Sequence, residues 1–244
     1  DNAFRMCFSD PSQGSVSADY IADNSLASKV AIIYNSSDTY STGIYQSFAT
    51  EAQARGLEIV SAEAYTADSN SDFSVQIQKA KDAGAELVFL PIYYSDASLI
   101  LAQADRAGFD PIWFGVDGMD GILGVDGFDK TLAEGVMFLT PFTPTSDDEA
   151  VQKFVASYED EFGSTPIQFA ADAYDCMYVL KEAIEQADIT PDMSISDMCD
   201  AMKTAMTQVT YDGVTGKQIS WGEDGEPSKE PTVVQITNGE YTVL

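Results

Sequence analysis

Apolar and polar positions in the first 142 residues alternate between two patterns, each with the length of one strand or one helix. Short apolar runs typical of buried strands occur at 29–35, 57–65, 87–90, 111–118 and 134–142. Stretches with apolar residues at helical spacing occur at 11–28, 44–55, 71–84 and 96–107. Strands that alternate with helices predict βαβ units, and therefore an α/β fold with a doubly wound parallel sheet.

The pattern changes after residue 145 to three amphipathic helices in a row, at 147–163, 167–187 and 194–206. Each helix has one apolar stripe, which must be buried against another surface. The chain also opens with a strand-like segment, DNAFRMCFSD, that no other element precedes. We therefore expect a preceding block with a second sheet to be absent. Without it, the helices would pack on each other or two chains would self-associate through them.

The tail returns to strand patterns, at 216–221 and 231–244. Asn238-Gly239 within the second of these is a strong signal for a tight turn, so a β-hairpin is predicted at the end of the chain.

Charge and hydropathy exclude several classes of function. The chain has 40 acidic and 12 basic residues and a net charge of −28, which opposes binding to nucleic acids and anionic membranes. No apolar run approaches the length of a transmembrane helix. No signal-peptide pattern is present, and the first residue is Asp1, as expected of a processed or trimmed chain.

Histidine is absent, which removes the Ser-His-Asp and Cys-His nucleophile arrangements and the usual zinc sites. This is evidence against catalysis. The three cysteines, Cys7, Cys176 and Cys199, have no CxxC spacing and are expected to be buried thiols. Alternatively, Cys176 and Cys199 could form a disulfide if the compartment is oxidising.

Candidate binding residues follow three of the predicted strands. Tyr40 comes after the first strand, Tyr93 and Tyr94 after the third, and Asp117 after the fourth. In open α/β sheets, ligands bind at the carboxyl ends of the strands. A carboxylate can hold the ammonium group of an amino acid, and tyrosines offer apolar walls with a hydroxyl at the edge.

Each candidate has an alternative role. One of Tyr93 and Tyr94 is expected to face the ligand, with Tyr93 favoured, while the other packs under the helix. Asp117 could instead cap a turn, and Asp120 is a weaker candidate. The acidic stretch 117–129 does not have EF-hand spacing, so no metal site is predicted, and no cofactor is expected.

Seven stretches together resemble a known family. They are FRMCFSDPSQG (4–14), KVAIIYNSSDTYSTG (29–43), VFLPIYYSDASLILAQADRAGF (88–109), FGVDGMD (114–120), EGVMFLTPFTP (134–144), FAADAYDCMYVL (169–180) and YDGVTGKQISW (211–221). The chain resembles the carboxyl-terminal part of type I periplasmic substrate-binding proteins of the branched-chain amino-acid and amide class, which feed ABC transporters.

The resemblance implies two lobes joined by three crossing strands, with the ligand held in the cleft between them. It assigns 11–140 and 209–244 to an α/β lobe, and 1–10 and 141–208 to the helical remainder of the other lobe. It places ligand contacts at Tyr40, Tyr93 or Tyr94, Asp117 and Phe169. The groups that hold a ligand carboxylate in relatives belong to the absent block.

The function implied is that of a non-catalytic, extracytoplasmic receptor, in the periplasm or anchored at the cell surface as a lipoprotein. Its ligand would be an amino acid or amide, and its partner an ABC permease. Two alternatives stay open. One is a ligand-sensing domain of a signalling receptor or amide-responsive regulator. The other is a carboxylate-dependent α/β enzyme with Asp117 as nucleophile or base.

Overall fold

Two units make up the structure, a computed structural model that describes residues 3–244. The α/β unit contains Asp10–Thr140 and Pro231–Leu244. The helical unit contains Pro141–Glu230 and residues 3–9.

The α/β unit contains four helices and seven strands. Its helices are α1 (Asp10–Asp23), α2 (Thr39–Arg55), α3 (Ser74–Asp82) and α4 (Tyr94–Arg106). Its first five strands are β1 (Lys29–Asn35), β2 (Glu58–Tyr65), β3 (Leu87–Leu90), β4 (Ile112–Gly115) and β5 (Met137–Thr140). The helical unit follows with α5 (Glu149–Phe162), α6 (Gln168–Gln186), α7 (Ile195–Met206), β6 (Thr210–Tyr211) and β7 (Ile219–Ser220). The chain ends with β8 (Thr232–Thr237) and β9 (Glu240–Val243) in the α/β unit.

The seven strands form one sheet in the order β2-β1-β3-β4-β5-β8-β9. Strands β1 to β5 are all parallel to one another, while β8 is antiparallel to both β5 and β9. Every residue of β3 and β5 is buried, as expected for strands covered on both faces. The predicted α/β class with a parallel-dominated sheet is confirmed.

Local turn chemistry explains where several elements begin and end. The Asp38 carboxylate accepts a hydrogen bond from the Tyr40 N–H and starts α2 five residues before the predicted stretch at 44–55. The predicted terminal hairpin is confirmed. Asn238 and Gly239 both have positive φ, of 55° and 77°, as a tight hairpin turn between β8 and β9 requires.

The helical unit has two apolar clusters. One joins the inner faces of α6 and α7 to the β6–β7 pair, and contains Met6, Val179, Ala183, Ala205, Met206, Val209, Tyr211, Ile219 and Trp221. The other joins α5 to the first turns of α6, and contains Phe142, Val151, Phe154, Ala171 and Val214.

Two expectations differ from the structure. The strand-like reading of the opening segment is wrong for residues 3–9, which contain no strand; Arg5 instead donates its N–H to the Gly225 carbonyl at 3.1 Å. The predicted boundary placed 209–244 with the α/β unit, whereas only 231–244 lie there. The reason is packing, because Tyr211, Ile219 and Trp221 are buried in the α6–α7 cluster.

Candidate functional site

The candidate site lies at the carboxyl ends of three neighbouring strands. β3 is hydrogen-bonded between β1 and β4, and all three are parallel. Tyr40 lies in the first turn of α2 after β1, Tyr93 is the N-cap of α4 after β3, and Asp117 begins a short 3₁₀ turn after β4. Parallel neighbours end at one edge of the sheet, so three of the predicted residues are brought together.

A hydrogen-bond network connects them. The Tyr40 hydroxyl donates to Asp117 Oδ1 at 2.5 Å and accepts the Gly118 N–H at 2.9 Å. The Tyr93 ring stacks on the Tyr40 ring, with centroids 4.8 Å apart and planes 22° from parallel. Tyr40 therefore orients the carboxylate and supports the exposed aromatic ring at the same time.

Gly118 makes this close approach possible. A Cβ atom at this position would lie 2.6 Å from the Tyr40 hydroxyl and 2.9 Å from the Ile92 carbonyl oxygen. Neither atom can move easily, since the hydroxyl is hydrogen-bonded and the carbonyl is backbone. Glycine is needed here for lack of space, because its φ is not in the left-handed region.

Burial controls the charge of Asp117, which is 6% exposed. Burial raises the pKa of its carboxyl to about 6, and the negative charge of Asp10 adds to this effect. Hydrogen bonds from the Tyr40 hydroxyl and the Gly118 backbone oppose the rise by stabilising the carboxylate. The pKa of Tyr40 is itself raised, by burial first and by Asp117 second, so its hydroxyl keeps its proton and acts as the donor.

The two tyrosines after β3 have different surroundings. Tyr93 is 43% exposed and lies against Tyr40, whereas Tyr94 is partly buried and packs on the core of the α/β unit. Asp120 is completely buried beside Tyr241, whose pKa is raised by burial and by the Asp120 charge. Of the candidates in this unit, Tyr40, Tyr93 and Asp117 contact one another at the candidate site.

Phe169 belongs to the helical unit. It lies in the first turn of α6 and is 41% exposed. Its predicted contact with a ligand therefore stays a prediction.

Sequence reasoning missed Gln13. This residue of α1 is completely buried, and its Oε1 accepts the Asp117 N–H at 3.0 Å across 104 positions of sequence. Its signal was a polar residue on the buried face of a helix, where Gln13, Gly14, Ser17, Ala18 and Ile21 share one side. A buried polar side chain needs a partner, and here the partner is the loop that carries the carboxylate.

Residues 3–244 show neither the features of a metal site nor those of a membrane span. No three His, Cys, Asp or Glu side chains of this range cluster as metal ligands do. None of the helices described has the length and apolar character needed to cross a bilayer. Cys176 and Cys199, which the sequence left as a possible disulfide pair, are not joined by a disulfide in the structure.

A doubly wound α/β unit with aromatic and carboxylate groups at the ends of its strands is typical of α/β proteins that bind small molecules. A profile of the periplasmic binding protein family matches residues 1–240, and the chain belongs to that family. The resemblance to type I periplasmic substrate-binding proteins of branched-chain amino-acid transporters is thereby confirmed.

Curated relatives agree with this assignment. The chain is 29% identical over 194 residues to Leu/Ile/Val-binding protein homolog 3 of Brucella melitensis, an alignment that covers 79% of this chain and 51% of the relative. It is 26% identical over 187 residues to the leucine-, isoleucine-, valine-, threonine- and alanine-binding protein of Pseudomonas aeruginosa, covering 75% and 48%. The chain thus spans about half the length of these relatives.

Solved structures show the same fold. The leucine-binding protein LivK of Thermotoga maritima superimposes with a TM-score of 0.83 at 25% identity, covering 99% of this chain and 66% of that chain. LivJ of Streptococcus pneumoniae, solved in complex with isoleucine, gives a TM-score of 0.83 at 26% identity, with 97% and 66% covered.

Proposed function

We propose that this chain forms part of an extracytoplasmic substrate-binding protein of an ABC transporter, and that it binds an amino acid with a branched or similarly small side chain. The observation that carries the proposal is the Asp117 carboxylate, held by Tyr40 beside the exposed ring of Tyr93. The names of the relatives, which include binding proteins for leucine, isoleucine and valine, support this ligand class.

The chemistry of the site suits an amino-acid zwitterion. The ionised Asp117 carboxylate accepts a charge-assisted hydrogen bond from the ligand ammonium group. The Tyr93 face provides an apolar wall for the ligand's aliphatic part. Since a nearby cation favours the charged form of a carboxyl, ligand binding would lower the pKa of Asp117 from about 6.

A calorimetric panel tests the ligand class. Leucine, isoleucine, valine and small amides are titrated into the chain and, in parallel, into the complete product of its gene. We expect a branched-chain amino acid to bind, and Asp117→Asn to weaken it by at least about 2 kcal/mol, or about 30-fold. Asp126→Asn, an exposed aspartate of the same loop, is the matched control and should bind as the wild type does. Absence of binding by every compound would contradict the proposal.

The pH dependence of binding gives a second test. With a pKa of about 6, the Asp117 carboxyl is mostly neutral at pH 5 and mostly ionised at pH 7. Affinity for leucine should therefore rise by about tenfold over this range, because the ammonium group pairs with the ionised form. The Asp117→Asn variant should show a flat profile. An equal rise in the variant would exclude Asp117 as the ammonium partner.

We further propose that the protein binds without converting its ligand, that it lies in the periplasm or at the cell surface as a lipoprotein, and that its partner is an ABC permease. The family match supports this assignment. Recovery of unchanged leucine after long incubation, cell fractionation and co-purification with the permease test the three parts. A converted ligand would instead favour the enzyme alternative.

A further inference from the structure

Sulfur atoms are concentrated around one cavity of the helical unit. The cavity has a volume of about 290 Å³ and is lined by three of the chain's eight methionines and two of its three cysteines. These residues are Met6, Cys176, Cys199, Met202 and Met206. The site lies in a different unit from Asp117 and has no part in the proposed amino-acid binding.

The sulfur side chains come from three segments that pack together. Cys199, Met202 and Met206 have the i, i+3, i+7 spacing that places residues on one face of a helix, here α7. Cys176 lies on α6, and Met6 on the segment that precedes α1. Met6 and Met206 are buried, Cys176 is half-buried and Cys199 is exposed.

The other lining residues leave sulfur as the main source of ligand atoms. They are Phe4, Arg5, Val179, Leu180, Lys203 and Trp221, with no carboxylate or amide side chain among them. Mg²⁺ and Ca²⁺ prefer oxygen ligands and would find no carboxylate in this lining. Thiolates and thioethers are soft ligands, which select Cu(I).

We propose that this sulfur-lined cavity binds one Cu(I) ion per chain, through the Cys176 and Cys199 thiolates and the thioether of Met202. Binding replaces the two thiol protons with the metal and releases them to solvent. The competing explanation is that these methionines and cysteines only fill an apolar core, as they do in many proteins. In that case the chain would not bind Cu(I) specifically.

Anaerobic titration with Cu(I), in competition with the chelator bicinchoninate, measures the affinity. The wild-type chain should remove one equivalent and show thiolate-to-copper charge-transfer absorption. Cys176→Ser and Cys199→Ser should each lower the affinity by more than about 100-fold, since loss of supporting second-shell groups alone costs 10–100-fold. Met202→Leu should lower it by about tenfold.

Two controls separate the site from nonspecific thiol binding. Cys7→Ser removes a thiol that does not line the cavity, and Met177→Leu removes an exposed thioether of α6 outside it. Both should bind Cu(I) as the wild type does. An equal loss of affinity in Cys7→Ser, or no uptake by the wild type, would overturn the proposal.

Cysteine alkylation in the wild-type chain tests the proposal without relying on a variant that folds. Cu(I) should slow alkylation of Cys176 and Cys199 by N-ethylmaleimide, as mapped by mass spectrometry, and leave Cys7 unaffected. Zn(II), which normally requires four strong ligands, should protect both cysteines at least about tenfold less well. Equal protection by Zn(II), or none by Cu(I), would contradict a soft-metal site.

Discussion

At the scale of single residues, Asp117 combines two opposing effects. Its burial disfavours the charged form, while the Tyr40 hydroxyl and the Gly118 backbone stabilise it. The result is a carboxyl whose pKa of about 6 lies close to neutral pH. Its orientation is already set by Tyr40 and Gly118 before a ligand binds. Such a group responds to both pH and a bound cation.

The raised pKa of Asp117 predicts a pH-dependent contribution to stability. Since the folded state binds this proton more tightly than the unfolded state, the contribution is complete below about pH 4. It is lost as the pH rises through about 6. In urea unfolding, the free energy of unfolding of the wild type relative to Asp117→Asn should fall over this range, by at most about 3 kcal/mol. A relative stability that increases with pH would mean that the carboxyl's pKa is lowered by folding.

The close packing around Gly118 predicts that a larger residue there destabilises the chain, and Gly124 provides the control. Gly118→Ala should destabilise the chain by about 1–3 kcal/mol, because the added Cβ overlaps the Tyr40 hydroxyl and the Ile92 carbonyl. Gly124→Ala, in the same loop, places its Cβ in open space and should be nearly neutral. Thermal unfolding of both variants checks this. Equal stability of the two would show that the loop relaxes without cost.

At the scale of elements, one buried carboxylate holds the chain after α7 against α6. Asp175 is completely buried on α6 and accepts hydrogen bonds from the Val214 N–H, the Thr215 N–H and hydroxyl, and the Tyr211 hydroxyl. Lys229 extends the network, donating to the Thr215 hydroxyl at 2.7 Å and pairing with Asp172 at 3.4 Å. This network adds to the apolar packing that keeps 209–230 in the helical unit.

Removal of the Asp175 carboxylate tests that contribution. Asp175→Ala leaves the Val214 and Thr215 donors buried without this partner and should cost about 2–4 kcal/mol of unfolding free energy. Glu182→Ala, an exposed position of the same helix, should change stability by less than about 0.5 kcal/mol. Denaturant unfolding gives both values. Similar costs would indicate that α6 is held by its apolar face alone.

At the scale of the whole molecule, the exposed apolar side chains are concentrated in the helical unit. Helices α5, α6 and α7 expose Phe162, Phe169, Tyr174, Met177, Tyr178, Leu180, Ile184 and Ile195. Large exposed apolar patches on soluble proteins are typical of interaction sites. The sequence predicted that these helices pack on each other or that two chains pair through them, and the pairing stays a prediction. A net charge of −28 opposes it.

Self-association of the chain should therefore depend on salt. Raising NaCl from 0.05 to 0.5 M screens the repulsion between acidic chains and should increase the dimer fraction in sedimentation velocity. Leu180→Glu should keep the chain monomeric under both conditions, whereas Val75→Glu, an exposed apolar position of the α/β unit, should not. A monomer at all salt concentrations would contradict pairing through these helices.

The sequence by itself determined the elements and the class of fold. Apolar runs predicted β1, β2, β3, β4 and β5, helical spacing predicted α5, α6 and α7, and Asn238-Gly239 predicted the terminal hairpin. Strands, helices and turns of this kind are set by residues close together in the sequence. Tertiary structure alone decided which distant residues meet, such as Gln13 with the Asp117 loop, Asp175 with Thr215, and the sulfur atoms around one cavity. Such contacts depend on how elements pack against each other, and no periodicity of a single segment carries that information.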